Sequence, residues 1–147
     1  MAAKDVYHDA VKNALIKDGW TITDEPLTLS LGLRNLFVDL GAEKVLAAAK
    51  DGKRIAVEVK SFVGRSTIVE LEKAIGQYVL YSNTLTMSAT ESDRQLFLAL
   101  PRDVIEELAD DKILPMLTTQ FTPHLNLLVY HPTKQLIEQW ILPPTHS

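Results

Sequence analysis

The stretch RIAVEVK, Arg54–Lys60, decides the fold, because its side chains alternate in character along the chain. Every second residue is apolar and β-branched, and the positions between them carry Ala56, Glu58 and Lys60. A period of two predicts a β-strand with one buried face. That face would be formed by Ile55, Val57 and Val59.

The opposite side of this strand carries a carboxylate and an ammonium group. Glu58 and Lys60 are two residues apart, so they lie on one side of the pleat, roughly 7 Å apart along the strand. A carboxylate can bind a divalent cation, and a neighbouring lysine can stabilise charge on an attacking water or a phosphate. Because Glu-x-Lys is a common tripeptide, a surface strand with both side chains in water explains it unless further residues join them.

A second carboxylate, Asp39, lies inside the apolar run Leu36–Ala42, which we predict to be another strand. An unpaired carboxylate is costly to bury. Two explanations fit the sequence. Asp39 either caps a turn before Gly41 or binds a metal together with Glu58.

The hairpin that returns into this strand has a strong turn signal at Asp51-Gly52. We predict a strand over residues 44–50 and a return strand over residues 53–62. A two-residue turn pairs residue 50 with residue 53, which places residue 45 opposite Glu58.

In that register Asp39 shares the face of Glu58 but lies six residues beyond it, roughly 20 Å along a straight strand. Asp39 reaches Glu58 only if the strand bulges, and Gly41 is the predicted position of the bulge. Otherwise Glu43, diagonal to Glu58, supplies the second carboxylate. We favour Asp39 and leave Glu43 open.

The next segment has the pattern of an amphipathic helix. Thr67 and Glu70 match a capping box, which predicts a helix beginning there. Gln77 and Tyr81 are four residues apart and therefore share a face of that helix. This face either presents an amide and a phenol to a cleft or belongs to an ordinary amphipathic helix.

Length and composition indicate the domain organisation and the class of protein. With 147 residues, of which 46% are hydrophobic, residues 1–147 are expected to form one globular domain. The chain has no cysteine, which excludes disulfides and thiolate metal sites and favours a cytoplasmic location. We expect no membrane span and no signal peptide, since no apolar run approaches ~20 residues.

Charge is unevenly distributed. The chain has a net charge of −4, which argues against a general nucleic-acid coat protein. Residues 44–73 nevertheless contain seven basic and four acidic side chains, a net charge of +3, against −7 for the remainder. A basic patch around an acidic pair suits a substrate that carries phosphate. Chance clustering on a solvated hairpin is the alternative.

The predicted elements run from a helix over residues 4–18 through several strands to the helix beginning at Thr67. A buried strand, a short helix and two final strands follow. This order predicts a mixed α/β or α+β fold with a central mixed sheet flanked by helices.

These elements resemble the restriction-endonuclease-like PD-(D/E)xK superfamily and its αβββαβ core. In that superfamily the Asp and the Glu hold Mg²⁺ or Mn²⁺ and the Lys aids the water or the phosphate. The resemblance therefore implies metal ligands at Asp39 and Glu58 and a catalytic role for Lys60. The Gln-x-x-x-Tyr pattern on the helix resembles that of the branch containing exonucleases and Holliday-junction resolvases. This resemblance adds Gln77 and Tyr81 to the implied catalytic residues.

Some members of the superfamily also use an acidic or His residue on the first helix, here His8 or Asp9. The sequence departs from the superfamily pattern before Asp39, where Val38 stands in place of the proline.

A closer resemblance covers nearly the whole chain. The segments KDVYHDAVK (4–12), VDLGAEK (38–44) and AVEVKSF (56–62) resemble the cyanobacterial XisH family, the fdxN-element excision controlling factors. That family name implies a role in a DNA rearrangement carried out by a separate recombinase. The family often goes with a companion protein, XisI, so the resemblance implies a protein partner besides DNA. We expect no membrane partner, and a homodimer stays open.

Two functions follow from these residues. The first is a controlling factor with a magnesium-dependent nuclease site that hydrolyses DNA phosphodiesters. The second is a non-catalytic regulatory factor that uses the same fold to bind DNA or a protein. Whether the chain is an enzyme stays open at this stage, because likeness of fold does not fix function.

Overall fold

The computed structural model describes residues 3–45, 52–63, 66–120 and 124–142, with side chains from residue 6 onward. Within these ranges it contains four helices and eight strands. The helices are α1 (Ala3–Lys17), α2 (Thr67–Met87), α3 (Arg102–Asp110) and α4 (Ile113–Thr119). The strands are β1 (Thr21–Asp24), β2 (Leu27–Leu31), β3 (Arg34–Val38), β4 (Leu40–Lys44), β5 (Lys53–Val59), β6 (Gln95–Pro101), β7 (Leu127–His131) and β8 (Leu136–Ile141).

Six strands form a central mixed sheet in the order β1-β4-β5-β6-β7-β8. Strands β5, β6 and β7 are parallel, whereas β1, β4 and β8 are each antiparallel to their neighbours. β2 and β3 form a separate antiparallel pair. The predicted mixed α+β architecture with a central mixed sheet is confirmed. Within the described part of the chain, no helix combines the length and apolarity needed to cross a membrane.

β5 lies inside this sheet, between β4 and β6. The predicted strand is present, but the expectation of one buried face is wrong, because Ala56 and Glu58 on the second face are buried as well. Parallel strands are normally covered on both sides, and here α1 contacts one face and α2 the other.

The two faces of the sheet bury separate cores. The α1-side core contains Ala10, Val11, Leu15, Leu40, Ala42, Ile55, Val57, Phe97, Leu128 and Tyr130. The α2-side core contains Leu27, Leu29, Val38, Ala56, Leu71, Tyr78, Leu85, Leu98, Leu127 and Val129.

The predicted strand Leu36–Ala42 is two strands. Asp39 separates β3, which pairs with β2, from β4, which pairs with β5. Because the chain changes sheets at Asp39, this residue stands at a junction rather than in the middle of a ladder.

The predicted hairpin register is also wrong. Lys44 pairs with Lys53 and Leu40 with Val57, so the strands are offset by six residues from a two-residue turn. Lys44 ends β4, Val45 lies outside the strand, and residues 46–51, which include most of the predicted strand and Asp51, lie outside the described residues. The offset places Leu40 and Ala42 in the same core as Ile55 and Val57.

Gly41 is not the site of a bulge against β5, since it pairs regularly with Ala56. Because Gly41 has no side chain, Asp24 and Arg94 can approach its backbone closely. A Cβ atom on Gly41 would lie 2.8 Å from Asp24 Oδ2 and 3.1 Å from Arg94 Nη1. Arg94 is buried there and forms ion pairs with Asp24 and Glu91, so a larger residue at position 41 would displace a buried charge pair.

Three smaller predictions need correction. The N-cap of α2 is Ser66, whose hydroxyl accepts from the Val69 N–H, and not Thr67. Helix α4 has no counterpart in the predicted order. Strict alternation in the last strand predicts that Ile137 and Ile141 share one face, but a register shift in β8 places Ile137 with Trp140 in the α1-side core and Ile141 against the α2-side core.

Stability provides the first test. Val57 has no exposed surface, so Val57→Ala should lower the free energy of unfolding by about 1–3 kcal/mol through lost transfer energy and a cavity. Val45→Ala is the matched control, since Val45 is 81% exposed and its truncation should cost under about 0.5 kcal/mol. Equal denaturation midpoints for the two variants would contradict the placement of β5.

Candidate active site

Asp39 and Glu58 meet where β4 begins and β5 ends. Because Leu40 pairs with Val57, the next position outward brings Asp39 opposite Glu58. Two hydrogen bonds hold them. The Asp39 backbone N–H donates to Glu58 Oε1 over 3.1 Å, and the Val59 backbone N–H donates to Asp39 Oδ2 over 2.8 Å. Each strand therefore orients the carboxylate of the other.

Glu58 is held in unusual surroundings for a carboxylate. The residue is 6% exposed. Burial, and secondarily the charge of Asp39, raise the pKa of Glu58 to about 7, against the opposing effect of Lys60. A buried carboxylate thus lies beside a half-buried one, and the positive charge of Lys60 does not cancel the effects of burial and of Asp39 on Glu58.

Lys60 supplies that positive charge. Its Nζ lies 3.3 Å from Glu58 Oε2, and the side chain is 23% exposed. The Lys60 backbone is fixed on both sides, because its N–H donates to the Ala99 carbonyl and its own carbonyl accepts from the Tyr130 hydroxyl, each over 3.0 Å. From this fixed backbone the Lys60 side chain contacts Glu58 and stays partly open to solvent.

Tyr130 is a positioning residue that the sequence did not indicate. It is fully buried on β7, and its ring packs edge-on against Tyr7 of α1, with centroids 6.4 Å apart. Burial raises the pKa of the Tyr130 hydroxyl, which therefore stays protonated and able to donate to Lys60. No local motif marks it, because Tyr130 is 70 residues away from Lys60 along the chain.

The predicted helix residues take different positions. Tyr81 is buried, and burial together with the charges of Glu58 and Asp39 raises its pKa to about 12, which places its phenol in the field of the carboxylates. Gln77 is exposed, and its side chain has no hydrogen bond to the other described residues. The contacts of α2 therefore bring Tyr81, but not Gln77, to the pair.

The remaining candidates lie elsewhere. Glu43 pairs with Arg54 four residues along β4, roughly 13 Å from Asp39, so it does not reach Glu58. His8 Nε2 lies 2.6 Å from a Glu25 carboxylate oxygen. Asp9, on the same helix, is exposed.

A cavity of about 310 Å³ opens beside Lys60 at this end of the sheet. Phe62 helps to shape it, because a left-handed backbone with φ of 56° turns the chain there, just after β5. The cavity is lined by Tyr7, Val59, Lys60, Ser61, Phe62, Val63 and Glu70. A phosphate in this space would have access to the lysine.

The donor set fits a hard divalent cation. Mg²⁺ is commonly bound by one or two carboxylates with the remaining positions taken by water or substrate. Asp39 and Glu58 provide two carboxylates held close together, of which Glu58 is buried and Asp39 is half-buried. Among the described residues, no group of three or more His, Cys, Asp or Glu side chains could hold a metal, so the pair alone would supply the protein ligands.

Comparisons with known proteins place the chain in a family. The model of the family described as XisH protein matches residues 1–138. The chain belongs to the XisH family. No curated protein matched.

Two solved XisH-like structures resemble the fold. A crystal structure of a fdxN element excision controlling factor protein from Anabaena variabilis is 40% identical, with a TM-score of 0.78, and the match covers 93% of this chain and 98% of that one. An XisH family protein from Nostoc punctiforme PCC 73102 is 35% identical, with a TM-score of 0.70, over 93% of this chain and 99% of that one. Both matches extend over nearly the full length, so the family's architecture is that of this chain.

The pH dependence of stability tests the carboxylate pair. The folded pKa of Glu58, about 7, exceeds its ordinary value of 4.5, so the folded state binds the proton more tightly. The contribution of Glu58 to stability is therefore fully present below pH 4.5 and is lost as the pH rises through about 7. Replacing Glu58 by glutamine should remove this loss and stabilise the protein above pH 7 by about 1–3 kcal/mol.

Urea denaturation across this pH range measures the effect. Glu72→Gln is the matched control, because Glu72 is an exposed carboxylate on α2. That variant should follow the parent protein at every pH. If Glu58→Gln also runs parallel to the parent protein, Glu58 is not the group held protonated.

Proposed function

We propose that this XisH-family protein is a controlling factor for the excision of a DNA element and that it carries a divalent-metal-dependent endonuclease site. One observation carries the proposal. Asp39 and Glu58 are held together by reciprocal backbone hydrogen bonds, with the Lys60 ammonium 3.3 Å from Glu58. Two adjacent carboxylates can hold a divalent cation, and a neighbouring lysine can stabilise charge on the phosphate or the attacking water, which suits metal-assisted phosphodiester hydrolysis.

The order of elements supports a nuclease-like core. With the β2–β3 hairpin set aside, α1, β1, β4, β5, α2 and β6 follow one another as α-β-β-β-α-β. Asp39 directly precedes the second of these strands, Glu58 and Val59 end the third, and Lys60 directly follows it. Order and residues together match the PD-(D/E)xK pattern, and they are the basis for proposing that the chain is related to those nucleases.

Asp39 and Glu58 would hold the cation, Mg²⁺ or Mn²⁺. When bound, such an ion supplies a Lewis acid and lowers the pKa of water. Lys60 extends from the fixed end of β5 and can hold a phosphate oxygen or the attacking water. Without a cation the pKa of Glu58 is about 7, so binding of the cation near neutral pH would release the proton that Glu58 holds. Tyr81, protonated at that pH, lies in the field of the two carboxylates on the side of α2.

A non-catalytic regulatory factor is the second candidate. The net charge of −4 favours it, since a DNA-binding surface must be local on such a chain. The expected partners are DNA and a companion protein of the XisI type, and a homodimer fits either function. In this case the acidic pair would persist as a dormant site.

Cleavage assays separate the two functions. Supercoiled, single-stranded and branched DNA should be nicked with Mg²⁺ or Mn²⁺ and not with a chelator. Lys60→Ala should abolish turnover but leave metal binding largely intact, because lysine is not a ligand. Glu58→Ala should remove both. Lys73→Ala, at a lysine whose side chain is 69% exposed, should change neither.

The assay should be run with the chain alone and with its companion protein. If neither preparation nicks DNA, and DNA binding is equal with and without metal, the nuclease proposal fails. The regulatory function then stands.

A further inference from the structure

A second cavity lies at the opposite end of the central sheet from the carboxylates. It has a volume of about 350 Å³ and is lined by Asp18, Trp20, Lys44, Lys53, Phe97, Trp140 and Leu142. Lys53 begins β5, whereas Glu58 lies five residues further along the strand, roughly 17 Å away. We call this cavity the aromatic–lysine pocket. Its residues are separate from those of the carboxylate site.

Three aromatic rings build one wall of the pocket. Trp140 packs edge-on against Phe97, with centroids 4.9 Å apart, and lies tilted against Trp20 at 5.9 Å. Trp20 and Phe97 are buried, whereas Trp140 is partly exposed. The two buried rings therefore fix the orientation of Trp140, which can offer part of its ring to a ligand.

Two lysines provide the charge. Lys44 and Lys53 face each other as a cross-strand pair of β4 and β5. Like charges opposite each other are unfavourable in a sheet unless something offsets them. The Lys44 ammonium donates to the Asp18 carbonyl over 2.7 Å and lies 5.6 Å from the centroid of Trp20. The Lys53 side chain has no hydrogen bond or ion pair to any other described residue.

Asp18 does not neutralise this pair. Its Oδ2 accepts from Trp20 Nε1 over 3.1 Å and lies 3.6 Å from Lys44 Nζ. The Asp18 carboxylate therefore already interacts with Trp20 and Lys44, and the charge of Lys53 is left without a counter-charge among the lining residues. The lining residues therefore carry a net charge of +1, on a chain whose total is −4. A negatively charged ligand would relieve the repulsion between the two lysines.

Size and chemistry together define the ligand. Small-molecule sites usually measure roughly 300–1,000 Å³ and combine apolar walls with a few polar groups. A flat aromatic group would stack on Trp140, as bases stack on aromatic side chains. An anion attached to it would reach Lys53. We propose that the aromatic–lysine pocket binds a nucleotide, with the base against Trp140 and the phosphate at Lys53.

The chain offers a selective probe of this pocket. Trp20 and Trp140 are its two tryptophans, and both line the cavity. Tryptophan emission, excited at the red edge of the band where the base does not absorb, therefore reports on a ligand in the pocket. Trp20 also lines a neighbouring cavity, which Lys53 does not line, so a response that depends on Lys53 assigns the quenching to the aromatic–lysine pocket. Four probes should be titrated into the full chain, namely dAMP, deoxyadenosine, inorganic phosphate and a short oligodeoxyadenylate.

Saturable quenching by dAMP or by the oligonucleotide is the expected result. Deoxyadenosine should bind about tenfold more weakly, since it lacks the charged contact, and phosphate alone should leave the emission unchanged. Tighter binding of the oligonucleotide than of dAMP would identify the source as a nucleotide of a single strand. Equal binding of the two would identify a free nucleotide as sufficient.

Two variants test the geometry. Lys53→Ala should weaken dAMP about tenfold and leave deoxyadenosine unchanged. Lys134→Ala is the matched control, because Lys134 is exposed just before the opposite end of β8 from Trp140. The affinity should be the same in a chelator, which separates this pocket from the proposed metal site. Absence of saturable quenching, or equal affinity for dAMP and deoxyadenosine, would overturn the proposal.

Discussion

The reciprocal hydrogen bonds between Asp39 and Glu58 are the constraint that connects the fold to the proposed chemistry. They require β4 to begin where β5 ends, and they require Asp39 to interrupt the chain between two sheets. The surrounding cores supply the stability that the site itself lacks, because a buried carboxylate pair is unfavourable when both members are ionised. Tyr130 and Ala99 then fix the backbone of Lys60 beside the pair.

Local patterns predicted the elements but not their alignment. The alternation in Arg54–Lys60 is strong enough to identify β5, and the period of the next segment identifies α2. The predicted pairing of β4 with β5 was wrong because it was based on the Asp51-Gly52 turn signal. Burial set it instead, since the observed pairing puts Leu40 and Ala42 into the core that also holds Val57. This pairing brings Asp39 to Glu58 without a bulge.

Contacts between distant segments account for what the sequence could not show. Tyr130 donates to the Lys60 carbonyl although β7 lies two strands from β5 in the sheet. Trp20 packs against Trp140, which lies near the other end of the chain. Neither contact has a spacing that a motif could express. Conversely, a spacing that a motif does express does not ensure that both residues reach the site. Gln77 and Tyr81 share a helix face by spacing, but only Tyr81 lies near the carboxylates. The family resemblance supplied the residue types, and the fold decided which of them meet.

Calorimetric titration of Mg²⁺ near pH 7, in two buffers of different ionisation enthalpy, tests the central claim most directly. If Asp39 and Glu58 form one pair, the cation displaces the proton that Glu58 holds at its pKa of about 7. The parent protein should bind Mg²⁺ with release of a fraction of a proton, and Glu58→Gln should bind far more weakly and release none. Identical heats for the parent protein and this variant, in both buffers, would contradict the account.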